Sequence, residues 1–515
     1  MAEPQLSLPE PEPTPVELTA APPDLAVVPV TGYDVAVVGA GLAGLAVGSL
    51  IARAGRSVVV LERGATPGGI GAVLPGENPP VDAGVLPITD AGSDGALKQL
   101  CERLGMAWSP DRVDPILQIA LPRHRLTLSQ DMAEWWPELR REMPEDEPIW
   151  RTLFPTLIDL AHDRDALARS LPPLPAESWW ARLQVQKTLA IRCIAPKSRD
   201  LAGRIRFAAR TPFRETLVTA GLGPVSEQAL AACLWYLALR SVDECSTLEA
   251  ALALRPLTQG WAAASGSLPT LAKRLLERLA SDGGEVRYGV DVVALDVEKG
   301  KVRGLRTADG DCIPVRWVVA DVGPDVLTGL VPARPRWAAK GSLARRFAPR
   351  AVAQIMTLVV PEAFLSAELG TLCLVVPQAG TPATEGNVVF VRSGEGPAAS
   401  DRHITIGRFV PPDHAQSDPS GPLLRAAEQI LPGIGAAAVR QTAYTCDDLA
   451  KIWGRPKAGL CYTESARDWL GRRGVPHRLG WPGLLAVGDW TYPGRLPTDV
   501  IAGALETADL ILAEW

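Results

Sequence analysis

The stretch YDVAVVGAGLAGLAVGSLIARAGRSVVVLER, residues 33–63, decides how this chain folds. It runs from an apolar segment through a cluster of glycines into small and aliphatic residues, then into a second apolar segment that ends on an acid. Short apolar runs bounded by glycine read as buried strands and the longer run between them as a helix, so the stretch predicts one βαβ unit. Gly39-Ala40-Gly41-Leu42-Ala43-Gly44 falls at the strand-to-helix junction, the context that turns GxGxxG into a dinucleotide signature. Gly39 makes the tight turn, Gly41 lets the backbone approach a pyrophosphate, and Gly44 lets helix and strand pack closely. Leu42 and Ala43 open the helix whose amides and positive pole face the phosphates. Glu62, with Arg63 beside it, ends the second strand at the spacing of about 20 residues where a carboxylate accepts bonds from a ribose diol. This motif alone leaves FAD and NAD open.

The next residues point to FAD. In ERGATPGGIGAV, Gly68-Gly69 follows the second strand directly, and paired glycines let backbone amides approach phosphate or the flavin side of a cofactor. The far end of the chain carries GDWTYPGRLPTDV, residues 488–500. Gly488-Asp489 ends an apolar strand, which sets Asp489 at the carboxyl edge of the sheet, where its carboxylate can accept from ribityl hydroxyls. Pro497-Thr498-Asp499 precedes a helical run, so Thr498 or Asp499 is the expected N-cap. The first amides of that helix, at Asp499 and Val500, then face the flavin ring and favour negative charge in its reduced state. Asp499 is assigned a capping role with contact through its backbone. Tyr492 and Arg495 read first as a solvent-facing loop pair; the alternative is that they approach the flavin ring and tune it or handle protons.

The bulk composition agrees with a soluble globular chain: 515 residues, 47% hydrophobic, 21% charged, net charge -6. That balance carries no footprint for nucleic acid. Cys101, Cys193, Cys233, Cys245, Cys312, Cys373, Cys446 and Cys461 lie far apart with no CxxC pair, which reads as reduced thiols in a cytoplasmic protein, and no metal site is expected. No Lys or Arg precedes Arg53, so a secretory or transit segment is not expected. Residues 35–52 are uncharged, but Gly39, Gly41, Gly44 and Gly48 break them, and a strand-turn-helix accounts for them better than a membrane span.

Further along, residues 1–31 form a flexible, Pro-rich acidic lead. The α/β texture of residues 32–104 returns at 255–325 and at 450–515, which together make a discontinuous FAD-binding domain. Residues 105–254 and 326–449 make a substrate domain, the first part a helical lobe with Trp135, Trp136, Trp150, Trp179 and Trp180. The expected fold class is α/β: a Rossmann-type FAD-binding domain interleaved with a mixed α+β substrate domain. Those tryptophans read first as core packing; the alternative is an anchor at a membrane interface.

Three blocks carry a resemblance: DVAVVGAGLAGLAVGSLIARAGRSVVVLERGATPGG, GSLPTLAKRLLERLASDGGEVRYGVDVVAL and GLLAVGDWTYPGRLPTDVIAGALETADLI. In content and order they resemble the phytoene desaturase and carotenoid isomerase branch of the FAD-dependent amine-oxidase superfamily. The resemblance implies non-covalent FAD held at Gly39, Gly41, Gly44, Glu62, Gly68, Gly69, Gly488 and Asp489, with the backbone of Val292 at the adenine end. It also implies a large apolar, isoprenoid-like substrate, desaturated or isomerised, in some members taken from a membrane surface; the electron acceptor stays open. Ile70 departs from the cationic residue or cysteine common after the paired glycines. Two rivals remain: an amine or porphyrinogen oxidase of the same superfamily, and a non-catalytic flavin- or lipid-binding protein.

Overall fold

The computed structural model describes residues 32–76, 81–83, 86–89, 95–107, 112–169, 179–194, 199–262, 268–332, 348–365, 369–462 and 474–515; the Pro-rich lead lies outside them. The described strands are β1 (Tyr33–Val38), β2 (Val58–Glu62), β3 (Leu117–Leu121), β4 (His124–Leu128), β5 (Glu285–Tyr288), β6 (Val292–Glu298), β7 (Lys301–Thr307), β8 (Cys312–Ala320), β9 (Pro349–Pro361), β10 (Leu372–Val375), β11 (Val389–Glu395), β12 (Asp401–Val410), β13 (Arg440–Tyr444), β14 (Gly459–Tyr462) and β15 (Leu484–Ala486). They form two sheets, and helices pack on both, giving the mixed α/β architecture expected from the sequence.

In the first sheet the order is β5-β2-β1-β8-β7-β6, with β15 also on β8. β1 is flanked by parallel neighbours, Val35 opposite Val58 on one side and Trp317 on the other. A strand paired on both sides and covered on both faces must be apolar throughout, which is why residues 35–38 show no polar alternation and are buried. β8 splits its free edge: Cys312–Pro314 meets β7 antiparallel, while Val318–Ala320 meets β15 in parallel. The carboxyl ends of β1, β2, β8 and β15 therefore lie along one edge. The β6–β7 connection turns at Lys299-Gly300, both with positive φ, as a two-residue hairpin requires.

The helix Leu42–Arg53 is buried over nearly its whole surface, which explains its small and aliphatic composition. It packs against the helices Leu268–Ser281 and Pro497–Leu512, so the start of the chain, its middle and its end meet on one face of the sheet. Ser49 Oγ donates to the Leu275 carbonyl at 3.0 Å, which satisfies its buried hydroxyl.

The second sheet runs β13-β9-β12-β11-β10-β3-β4, with β14 on β9. β14 lies in the segment read from sequence as part of the cofactor domain, yet it extends this second sheet, pairing Leu460 with Ala351. In the helical lobe, Trp135 and Trp150 are core residues packed on Phe154, at ring-centroid distances of 4.8 Å and 6.0 Å. Trp180 is the exposed member of the tryptophan set, and the Trp179 side chain lies outside the described residues.

Because Phe154 is nearly inaccessible and holds both indoles, Phe154→Ala opens a cavity at the centre of the lobe. The expected loss of stability is about 3–5 kcal/mol, read by urea unfolding. A loss below about 1 kcal/mol would show that the lobe is not packed through this residue.

Candidate cofactor site

The residues that follow β1, β2, β8 and β15 converge at the shared carboxyl edge and line one cleft. Of the residues expected from sequence, Gly39, Gly41, Leu42, Ala43, Glu62, Arg63, Gly68, Gly69, Val292, Gly488, Asp489 and Val500 all border it. Gly41 and Asp489, from opposite ends of the chain, thus face one common space. Gly44 and Asp499 do not border it.

Gly44 lies behind the wall, where an added Cβ would fall 2.2 Å from the Gly39 carbonyl oxygen, so glycine is required for the helix to sit on the strand. Gly39 has φ +102°, and a Cβ there would fall 2.4 Å from the Asp321 carbonyl oxygen. The paired-glycine turn is stitched to the first one: the Gly68 amide donates to the Ala40 carbonyl at 2.8 Å, and Gly41 bridges Gly68 in parallel. Glu62 clamps both turns, accepting from the amides of Ala40 at 2.8 Å and Gly64 at 2.7 Å, while its carboxylate still borders the cleft.

The terminal helix begins at Pro497 with Leu496 at the N-cap and no side-chain cap, so neither Thr498 nor Asp499 caps it. Proline presets the helical φ at the first position and removes one of the amides that a cap would satisfy. The Asp499 carboxylate packs against Gly494 and lies near enough to Arg495 to favour its charge. Arg495 and Tyr492, read from sequence as facing solvent, are instead buried. Arg495 borders the cleft, donates to the Tyr236 carbonyl at 3.4 Å and lies 5.6 Å from the Phe409 ring centroid. Burial pulls its guanidinium below the usual arginine range, opposed by Cys461, Asp489, Tyr236 and Asp499. Tyr492 accepts a hydrogen bond at 3.0 Å from Arg164 of the helical lobe.

Two contributors, Arg455 and Asp321, were not singled out from sequence. Arg455, in the loop after the helix Cys446–Trp453, donates to Asp489 at 2.9 Å. Arg63 reaches the same loop through the Gly454 carbonyl at 3.0 Å. Asp321, directly after β8, accepts from the Gly44 amide at 2.8 Å. Its carboxyl opens into the cleft, and burial pushes it up to about 7; the Gly44 bond and Arg455 pull it down, while Asp489 and Glu62 push it up. A signal for Asp321 was present: VVADVG repeats the pattern of LAVGDW, a buried strand closing on an acid at the ligand-binding edge. Arg455 had none, because nothing local ties it to Asp489.

The arrangement suits an extended dinucleotide. A helix N-terminus and two glycine turns would meet its diphosphate, and Glu62 would meet a ribose. Arg495 Nη2 is buried without a hydrogen-bond partner and Arg495 borders the cleft; Asp489, 8% exposed, borders it too, both its oxygens held by Arg455 at 2.9 Å. A buried donor left unpartnered fits a ligand carrying acceptors, as a flavin ring does. These features define a flavin-dinucleotide-binding protein.

The chain belongs to the flavin-containing amine oxidoreductase family, which it matches over residues 42–512. It is an oxidoreductase, and its cofactor is FAD. The fold is shared with a putrescine oxidase triple mutant (TM-score 0.62, 15% identity, 94% of this chain and 99% of that one). It is shared also with cyclohexylamine oxidase from Brevibacterium oxydans IH-35A (0.60, 17%, 94% and 99%) and an oxidoreductase from Methanosarcina mazei (0.59, 16%, 92% and 99%). At these identities the likeness is one of fold. Comparison with curated protein sequences gives no match.

Asp489→Ala removes the carboxylate that Arg455 holds at the cleft. The FAD dissociation constant should rise about ten- to a hundredfold, the worth of a hydrogen bond to a charged group, measured by flavin fluorescence quenching. Unchanged affinity would remove Asp489 from the site.

Proposed function

We propose that this oxidoreductase acts on a large apolar, isoprenoid- or carotenoid-like substrate, removing a hydride from an allylic carbon and a proton from its neighbour. The observation that carries this reading is a second, apolar-walled pocket that shares Leu86 and Leu268 with the cofactor cleft. Its walls include Ile88, Val113, Ile116, Trp261 and Leu372. Among its described lining residues the charges are Asp82 and Arg392, and these pair with each other at 2.8 Å. With Asp82 buried and paired to Arg392, the pair offers no uncompensated carboxylate to hold a substrate ammonium ion. An apolar chain, by contrast, is held by area and shape alone.

FAD in the cleft supplies a two-electron acceptor. The chain's own part is to hold that cofactor through Glu62, Asp489 and the glycine turns, and to exclude water from the chamber. Tyr236 stands between the two spaces, in the chamber wall and bonded to Arg495 of the cleft through its carbonyl. Burial keeps its phenol protonated well above the usual range.

The experiment is anaerobic mixing of the FAD-loaded protein with a polyene precursor or with primary amines, following loss of oxidised-flavin absorbance. Bleaching by the polyene is expected. Bleaching by amines alone would overturn the substrate assignment and favour the amine-oxidase rival, and bleaching by neither would favour the non-catalytic one.

An apolar substrate needs a source, and we propose an anionic membrane surface contacted by the helical lobe. Trp135 and Trp150 are interior and play no part in it. On the helix Trp179–Ile194, however, Trp180, Leu183 and Ile191 share one face with Lys187 and are exposed, while Val185 on the opposite face is buried. Phe207, on the helix Arg199–Ala208 packed beside it, is 72% exposed. Between residues 179 and 210 the sequence holds Arg182, Lys187, Arg192, Lys197, Arg199, Arg204, Arg206 and Arg210 against Asp200 alone, within a chain of net charge -6. Apolar side chains set among cations suit an anionic bilayer. Co-sedimentation with phosphatidylglycerol vesicles should fall about tenfold in a Trp180→Ser, Phe207→Ser double variant; equal binding by both proteins, or none by either, would exclude this surface.

A further inference from the structure

Asp321 takes no part in the role just assigned, yet the cofactor turn is built around it. An added Cβ at Gly41 would fall 2.5 Å from Asp321 Oδ2, and one at Gly488 would fall 3.2 Å from Oδ1. Its own amide donates to the Val38 carbonyl at 2.8 Å, its carbonyl presses on Gly39, and its carboxyl accepts from Gly44. One residue therefore touches Gly39, Gly41, Gly44 and Gly488. It also occupies the third amide at the N-terminus of the very helix that meets the diphosphate, leaving those of Leu42 and Ala43 for the ligand.

We propose that Asp321 is a positioning residue for FAD that couples cofactor binding to the uptake of one proton. As the neutral acid it keeps a carbonyl oxygen for the Gly44 amide and gains an O–H that can donate to a phosphate oxygen; as the carboxylate it has no donor and repels the diphosphate. The charged groups that face it are Glu62 at the end of β2, Asp489 after β15 and Arg455 from the loop after Cys446–Trp453. Arg455 is already paired with Asp489 at 2.9 Å, so it does not neutralise a further anion in full. Burial pushes the Asp321 carboxyl up to about 7, which brings this equilibrium close to neutral pH. The diphosphate is itself an anion, so FAD favours the protonated form, and protonation favours FAD by the same factor. The sign follows: affinity is highest below about pH 7 and falls as pH rises.

The inference rests on FAD occupying this cleft, and the test separates the two. FAD is titrated into the flavin-stripped full-length protein between about pH 6 and pH 9, read by fluorescence quenching rather than turnover. For the wild type the dissociation constant should rise with pH, approaching tenfold per unit where the acid is ionised. Asp321→Asn keeps an oxygen for Gly44 without a titrating proton; it should match the wild type at low pH and stay level to high pH. A structural role alone would not give a pH slope that disappears in the isosteric variant. Should that variant fail to fold, calorimetry on the wild type in two buffers of different ionisation heat counts protons directly: about one taken up per FAD is expected near pH 8. A level wild-type profile, an unaltered slope in Asp321→Asn, or no proton uptake overturns the proposal while leaving FAD in the cleft. Failure to bind FAD at any pH overturns both.

Discussion

The turn after β1 approaches the end of β8 so closely that no side chain fits between them, and the cofactor site depends on that approach. Gly39 and Gly41 lie against Asp321, and Gly44 lies against Gly39. The parallel pairing of β1 with β8 carries this contact, because it sets Val38 opposite Ala320 and so brings the next residue of each strand together. The glycines let the helix start within a residue or two of the sheet edge, which points its amides into the cleft rather than past it. A shift in that register would separate the diphosphate end of the site from its acids.

The late part of the chain closes the cleft through charge rather than through packing alone. Arg63 holds the Gly454 loop, and Arg455 from that loop holds Asp489. Each guanidinium thereby ties the nucleotide-binding sheet to the segment that leads into β14, and β14 belongs to the other sheet. Arg495 adds a third tie: buried, it spans from the cleft to the carbonyl of Tyr236 in the helical lobe. The cofactor cleft and the apolar pocket share Leu86 and Leu268.

Much of this was legible in the residues themselves. The βαβ unit, the paired glycines and the acid after β15 announce themselves through local pattern, and the structure gathers them on one cleft. The misreadings were of one helix start, one strand pairing and the surroundings of particular side chains. Thr498 and Asp499 look like caps because helices usually start on such residues, but Pro497 moved the start back to Leu496. Tyr492 and Arg495 look like an exposed loop pair, but the helical lobe covers that loop through Arg164 and Tyr236. β14 sits in sequence beside the last strand of the first sheet, yet its pairing partner is β9. Trp135 and Trp180 are alike as residues, and only packing makes one core and the other surface.

The sequence by itself determined the dinucleotide turn and the FAD-type pairing of an early glycine motif with a late acid. These follow from short-range periodicity and from backbone conformations open to few residue types. Tertiary structure alone decided that Asp321 stands inside the glycine turn, that Arg455 answers Asp489, and that Asp82 and Arg392 neutralise each other in the chamber. The reason is physical: the charge state and bonding of a buried polar group depend on neighbours from distant segments, and no local pattern specifies which of them will arrive.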